Sequence, residues 1–199
     1  MDLSATFYVK GSMPPLPEPN LVILDRDGVI NYDSSDYIKT PGEWLPIPGS
    51  LEAIGKLKRS GYRVAIATNQ SGLARDYFSE YTLANIHQKM QQLLADRFDT
   101  QIDLIAWCPH LPDEGCSCRK PAPGLLSQIA EEFKVELKGV WFIGDSLKDL
   151  QAAAAVGAQP VLVKTGKGLD TSSSNELPSE TLVYADLAGA VDELLKRNS

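Results

Sequence analysis

An uninterrupted apolar run that ends in two acids constrains this chain more than any other feature. Residues 21–29 read Leu-Val-Ile-Leu-Asp-Arg-Asp-Gly-Val, so Asp25 and Asp27 directly follow four apolar residues. Such a run is typical of a strand buried on both faces of a parallel sheet. Because open α/β folds bind ligands at the carboxyl ends of such strands, the stretch predicts either a ligand site or, since Asp and Gly favour turns, an ordinary acidic turn.

Length and charge narrow the class of protein. The chain has 199 residues and a net charge of -7. This length suits one domain with a full core, and the acidic balance argues against a nucleic-acid partner. With neither a bilayer-length apolar run nor an export signal, we expect a cytoplasmic protein that does not contact membranes. The proline-rich residues 1–20 predict a flexible lead-in, and residues 21–199 predict the folded domain.

Predicted strands alternate with predicted helices along the chain. Strands are expected at 21–24, 63–68, 102–107, 140–143, 161–163 and 182–184. Two helices are expected with apolar faces that span 51–57 and 83–94, and three more at 125–133, 151–156 and 187–196. Ser50 and Ser79 are predicted to cap the first two helices. Residues 30–48 have no period and predict a loop over the carboxyl edge. We therefore expect an α/β fold, a Rossmann-like three-layer sandwich with a mainly parallel sheet and no large cap domain.

Three of these strands end in polar side chains suited to one site. They are Asp25 and Asp27, Thr68 and Asn69, and Asp145, with the basic pair Arg119-Lys120 lying between the second and the third along the chain. The carboxyl ends of parallel strands meet at one edge, so these groups can converge. Carboxylates beside a lysine and a hydroxyl fit a Mg²⁺-assisted phosphoryl site, in which a carboxylate can act as nucleophile.

The three cysteines of the chain lie in one short segment. Cys108, Cys116 and Cys118, together with His110, supply three thiolates and one imidazole. An odd number of clustered cysteines argues against a disulfide framework and for metal ligation. We predict a closed, structural Cys₃His zinc loop, and the alternative is a set of unligated buried cysteines.

The order of these motifs resembles that of a known superfamily. Asp25-x-Asp27-Gly-Val, Thr68-Asn69, Lys120 and Gly144-Asp145-x-x-x-Asp149 are similar to the four motifs of haloacid dehalogenase superfamily phosphatases. The zinc loop and the Cys-Arg-Lys-Pro segment resemble the histidinol-phosphate phosphatase-like branch, and within it the heptose 1,7-bisphosphate 7-phosphatases. The resemblance implies a Mg²⁺-dependent sugar bisphosphate phosphatase with an aspartyl-phosphate intermediate, acting in ADP-heptose and lipopolysaccharide synthesis.

The resemblance also implies roles for the residues that match these motifs. Asp25 would be the nucleophile and a Mg²⁺ ligand. Asp27 would be the general acid and base and would bind Mg²⁺ through its backbone carbonyl. Asp145 would complete the protein ligands, and Thr68 and Lys120 would hold the phosphoryl group.

The substrate-binding residues are implied in the same way. Asn69, Gln70 and Ser71 would lie near the phosphoryl group, and Arg119 would bind the distal phosphate of a small sugar phosphate. The chain departs from the best-known heptose enzymes at Ser146, where a lysine often stands, and in its short zinc loop. Two alternatives stay open, a histidinol-phosphate phosphatase and a zinc-stabilised binding protein without catalysis.

Three further sequence features are interpreted as structural rather than catalytic. The segment 166–168, Gly-Lys-Gly, lacks the rest of a phosphate-loop signature and predicts a polar turn. His87 is interpreted as a structural or solvated histidine. Asp149 is expected to act behind the metal ligands rather than among them. We expect a monomer.

Overall fold

The structure is a computed structural model and describes residues 20–197. Within this range the strands are β1 (Leu21–Leu24), β2 (Arg63–Asn69), β3 (Leu104–Cys108), β4 (Trp141–Gly144), β5 (Gln159–Val163) and β6 (Leu182–Tyr184). The helices are α1 (Ser50–Arg59), α2 (Glu80–Phe98), α3 (Gly124–Phe133), α4 (Leu147–Ala155), α5 (Gly168–Thr171) and α6 (Leu187–Arg197). The predicted lead-in lies outside the described residues, apart from residue 20.

All six described strands form one parallel sheet in the order β3-β2-β1-β4-β5-β6. The strand β1 lies in the interior of this sheet, where Leu24 is in register with Ile66 of β2 and Ile143 of β4. The carboxyl ends of the strands therefore share one edge. The predicted α/β sandwich with a mainly parallel sheet is confirmed.

The side chains of β1 divide between the two layers that cover the sheet. Val22 and Leu24 belong to the apolar cluster that includes α1, α2 and α6, and Leu21 and Ile23 belong to the cluster that includes α3 and α4. Successive side chains of a strand point to opposite faces, so a strand covered on both faces needs apolar residues throughout. Among the described helices, none has the length and apolar character that a membrane span requires.

The connection from β1 to α1 runs over the carboxyl edge, as predicted. Ile30, Ile38 and Trp44 of this connection are buried in the core, so the loop is anchored at several points. The predicted cap at Ser50 is wrong. Gly49 precedes the first turn of α1, and the Ser50 hydroxyl instead donates to the carbonyl of Ile30 at 2.7 Å, which ties the helix to the loop.

The helix α2 begins as expected. Ser79 is its N-cap, and the Ser79 hydroxyl accepts a hydrogen bond from the backbone N–H of Thr82 at 3.2 Å. Satisfying a free N–H in this way stabilises a helix start by about 1 kcal/mol. The helix carries His87 on its buried side, towards the loop that follows β1.

Candidate active site

A pocket of about 490 Å³ lies at the carboxyl edge of the sheet. Every residue to which the sequence analysis assigns a catalytic, substrate or magnesium role lines it: Asp25, Asp27, Thr68, Asn69, Gln70, Ser71, Arg119, Lys120 and Asp145. These residues follow β1 or β4, end or follow β2, or precede α3. The tertiary structure thus brings together segments that lie far apart in the chain.

Three carboxylates surround one ammonium group at the base of this pocket. One carboxylate oxygen from each of Asp25, Asp145 and Asp149 lies within 4.8 Å of the others. The ammonium Nζ of Lys120 lies 2.9 Å from Asp25 Oδ1 and 2.6 Å from Asp149 Oδ1. One cation cannot neutralise three ionised acids, so full ionisation would leave the site with excess negative charge.

The pKa values of two of these acids are raised by burial and by the charges around them. Burial raises the pKa of Asp25 to about 7, together with the charges of Asp149 and Asp27 and against the opposing effect of Lys120. Burial and the charges of Asp25 and Asp149 raise the pKa of Asp145 to about 8. Closely spaced, desolvated carboxylates of this kind favour a divalent cation. The donor set fits Mg²⁺, which prefers oxygen ligands and keeps some of its waters.

Asp149 is engaged mainly with protein groups. Its Oδ2 accepts hydrogen bonds from the backbone N–H and the hydroxyl of Ser146, at 3.0 and 2.6 Å, and its Oδ1 pairs with Lys120. It therefore joins the start of α4 to the lysine. Ser146 is thus the local partner of Asp149, and the place of Asp149 behind the metal ligands stays a prediction.

The position of Lys120 is set by three hydrogen bonds of its own. The Asn69 side chain accepts from the backbone N–H of Lys120 and donates to the backbone carbonyl of Lys120, both at 3.1 Å. The ammonium also donates to the carbonyl of Ala67 at 2.7 Å. The Asn69 amide thus contacts protein rather than pointing freely into the pocket, which differs from its implied role as a substrate contact.

Asp27 is held by donors on both of its oxygens. Its Oδ1 accepts from Asn31 at 2.8 Å, and the Arg26 guanidinium bonds both oxygens. Gln70 donates to Asp27 Oδ2 and to Thr68 Oγ1, each at 2.9 Å, so its amide also contacts protein groups. Burial alone would raise the pKa of Asp27, but the Arg26 charge and these hydrogen bonds outweigh burial and lower it below 3.8.

The four predicted zinc ligands form one cluster beside the pocket. The sulfurs of Cys108, Cys116 and Cys118 are 3.1–3.6 Å apart, and His110 Nδ1 lies 3.5 Å from Cys108 Sγ and 3.3 Å from Cys118 Sγ. With Zn–S bonds of about 2.3 Å, the edges of a tetrahedral site measure about 3.8 Å, close to these separations. Burial raises the pKa of the Cys108 thiol to about 12, and a bound metal would favour its thiolate.

The cluster of cysteines and His110 contacts the pocket through Arg119 and Gln70. Arg119 Nη1 donates to the carbonyl of His110 at 3.0 Å, and the backbone N–H of Gln70 donates to the carbonyl of Cys108 at 2.7 Å. The cluster loop therefore supports one wall of the pocket.

The segment after β5 also reaches the site, which the sequence analysis missed. The backbone N–H of Lys167 donates to Asp145 Oδ2 at 2.8 Å, and its ammonium pairs with Asp33 Oδ2 at 3.0 Å. Gly28 and Gly166 have φ of +83° and +54°, and a Cβ on either would collide with the Asp145 carboxylate. The predicted polar turn is thus also a wall of the site. The Gly-Lys-Gly sequence was the one indication that this segment could have a functional role, and it does not show which residues the segment contacts.

Known proteins match the chain over nearly its whole length. The family described as HAD-hydrolase-like matches residues 117–190. The D-glycero-beta-D-manno-heptose-1,7-bisphosphate 7-phosphatase of Pseudomonas aeruginosa is 54% identical over 89% of this chain and 98% of its own length. The enzyme of that name from Neisseria meningitidis is 44% identical over 90% of this chain and 96% of its own.

A solved structure matches equally well. The D,D-heptose 1,7-bisphosphate phosphatase of Bordetella bronchiseptica, complexed with magnesium and phosphate, superposes with a TM-score of 0.87 at 50% identity, covering 89% of this chain and 98% of the other. Identity of this degree over nearly the whole of both chains shows the family. The chain belongs to the D,D-heptose 1,7-bisphosphate phosphatase family of haloacid dehalogenase-like hydrolases.

Proposed function

We propose that this protein removes the 7-phosphate of D-glycero-D-manno-heptose 1,7-bisphosphate by way of an aspartyl-phosphate on Asp25. The observation that carries the proposal is the meeting of Asp25 and Lys120 at 2.9 Å in a pocket that also holds Asp27 and Asp145. A nucleophile, a cation for the phosphoryl oxygens and an acid for the leaving group are thus within one cavity.

In the first step a carboxylate oxygen of Asp25 attacks phosphorus. The bond between phosphorus and the sugar oxygen breaks, and that oxygen takes a proton from Asp27. Lys120 and the Thr68 hydroxyl stabilise charge on the transferring oxygens. Asp27 is ionised in the free pocket, and the arrival of an anionic phosphoryl group raises its pKa, which favours the protonated form that this step requires.

In the second step Asp27 takes a proton from water. The water oxygen bonds to phosphorus, the bond between phosphorus and Asp25 breaks, and Asp25 leaves as a carboxylate. Inorganic phosphate is released, and Asp27 gives this proton to solvent as the pocket empties, because its pKa is low in the free protein.

The residues suited to hold Mg²⁺ are Asp25, Asp145 and the backbone carbonyl of Asp27. When bound, the ion offsets the repulsion between the acidic pocket and an anionic substrate and stabilises charge on the phosphoryl oxygens. The magnesium and phosphate complex of the Bordetella bronchiseptica relative supports this part of the proposal.

The zinc loop is proposed to support the active site without contacting the reacting atoms. Zinc held by Cys108, His110, Cys116 and Cys118 would order a loop of little apolar content. The loop contacts Arg119, which we propose to bind the distal phosphate of the substrate. A cytoplasmic location, a monomeric state and a role in lipopolysaccharide synthesis are further parts of this proposal.

Two alternatives share parts of this geometry. A histidinol-phosphate phosphatase would need the same pocket, and a binding protein without catalysis would need only the zinc loop. The intact set of Asp25, Asp27, Lys120 and Asp145 in one pocket supports a catalyst over a binding protein. The names of the full-length relatives favour the heptose substrate.

Initial rates of phosphate release, measured with and without Mg²⁺, test the assignment. We expect Mg²⁺-dependent turnover of heptose 1,7-bisphosphate at a higher kcat/KM than that of histidinol phosphate. The reverse preference would replace the substrate, and no turnover of either compound by zinc-loaded protein would favour the binding protein.

A further inference from the structure

His87 is buried beside the active site although the proposed reaction gives it no role. Only 8% of its surface is exposed, and its Nε2 lies 3.2 Å from Arg26 Nη1. Burial, together with the Arg26 charge, lowers the pKa of His87 to about 3, so the imidazole is neutral. Because a guanidinium has donors only, the Nε2 of a neutral His87 must be the acceptor in this contact.

Arg26 carries this contact onward to the proposed acid. Its side chain is fully buried, and its Nε and Nη2 donate to Asp27 at 2.9–3.1 Å. The same Nη2 lies 3.2 Å from Gln70 Oε1. The guanidinium is therefore a rigid fork with Asp27 on one edge and His87 on the other, and its orientation sets that of the Asp27 carboxylate.

We propose that His87 is a positioning residue for proton transfer, acting through Arg26 to orient the Asp27 carboxylate. Without an acceptor at Nε2, a donor of the fully buried guanidinium is left without a partner. A buried donor in this state is costly, so the fork reorients to recover a hydrogen bond. The carboxylate of Asp27 follows, and proton transfer to the leaving oxygen loses its alignment. The inference rests on the proposed role of Asp27 and extends it to α2.

Two amide variants of His87 separate positioning from mere support of the fold. In His87→Gln the side-chain oxygen can occupy the place of Nε2, whereas in His87→Asn the amide is one methylene shorter and falls short of Arg26. Both variants are polar and similar in size, so each is the matched control of the other. Thermal unfolding of both checks that they fold.

The test compares the rates for two substrates whose leaving groups differ in their need for a proton. A sugar alkoxide needs a proton as it leaves, whereas p-nitrophenolate leaves without one, so only the first reaction depends strongly on an aligned acid. We expect His87→Asn to lower kcat for heptose 1,7-bisphosphate about 10-fold with little change in KM. The rate of the initial p-nitrophenolate burst should fall several-fold less. The ratio of the two rates should return towards the wild-type value in His87→Gln.

Equal slowing of both substrates by His87→Asn, or equal behaviour of the two amide variants, would overturn the inference. If His87→Asn does not fold, Asn31→Ala provides the second arm, because Asn31 donates to Asp27 Oδ1 directly. That variant must then show the same leaving-group pattern. A wild-type protein that cleaves other alkyl phosphates but not the heptose substrate would overturn the proposed substrate and leave the His87 comparison to be made on those esters.

Discussion

The side chain of Asn69 holds the backbone of Lys120 by two hydrogen bonds of 3.1 Å, one accepted from its N–H and one donated to its carbonyl. Asn69 is the last residue of β2, so the loop that carries the lysine is fastened to the sheet at this point. The lysine ammonium then reaches Asp25.

Replacing Asn69 by Ala should displace this lysine. A catalytic group moved by about 1 Å can cost about 100-fold in rate. We expect kcat to fall 10- to 100-fold while the protein stays folded, as measured by phosphate release and thermal unfolding. Asn175→Ala, at an exposed position away from the pocket, is the control and should retain full activity. Wild-type turnover by Asn69→Ala would show that the two hydrogen bonds do not position Lys120.

Asp25→Asn should abolish phosphate release, because an amide cannot attack phosphorus. The substitution also removes one charge from a crowded carboxylate cluster, so the melting temperature should be unchanged or higher. Single-turnover phosphate release and the zinc content, which should stay at the wild-type level, check both parts. Near-normal turnover would exclude Asp25 as the nucleophile.

Gly166, which lies beside Asp145, and Gly139, which has no such neighbour, separate the effect of backbone strain from that of a collision. Gly166→Ala adds a Cβ at φ +54° that meets the Asp145 carboxylate, whereas Gly139→Ala adds one at φ +76° with no atom within 4 Å. Both variants should lose about 1–2 kcal/mol of stability from the left-handed conformation. Only Gly166→Ala should also lose Mg²⁺-dependent activity, by 100-fold or more. Similar activities for the two variants would contradict a role for this close contact.

The raised pKa values of Asp25 and Asp145 predict how stability depends on pH without Mg²⁺. Both values, about 7 and about 8, lie above the unfolded value of 3.8, so the folded state binds more protons between these limits. The stability contributed by these protons is present below about pH 4 and is lost as the pH rises to about 8.

Melting temperatures in Mg²⁺-free buffer should therefore carry a component that falls from pH 5 to pH 8.5. Added Mg²⁺ should raise the melting temperature most at the alkaline end, because the ion binds the deprotonated acids. Asp145→Asn should flatten both trends. A Mg²⁺ effect that is largest at pH 5 would contradict this assignment of the acids.

The wild-type protein should carry one zinc ion per chain by elemental analysis. Cys116→Ser should lower the zinc content and reduce the melting temperature, since a structural zinc site contributes directly to folding. Ser117→Ala, which keeps all four candidate ligands, should retain the metal. Purified wild-type protein without zinc would contradict the Cys₃His site.

The sequence by itself determined the order of the described strands and of the helices other than the short α5, together with the kinds of side chain at the strand ends. The four consecutive apolar residues 21–24 favour a strand that is buried on both faces, and this preference depends only on the local sequence. The cluster of three cysteines with His110 can likewise be predicted from the sequence, because these residues lie close together along the chain.

Only the tertiary structure decided which hydrogen-bond partner each polar side chain has. The family resemblance implies that Asn69 and Gln70 contact the substrate, yet their amides bond Lys120, Asp27 and Thr68. The sequence does not reveal the contacts of His87 and Lys167, because their partners Arg26 and Asp145 come from other loops. A hydrogen bond depends on distances of about 3 Å between segments that the chain order leaves unspecified, so it is set by how the helices and loops pack on the sheet.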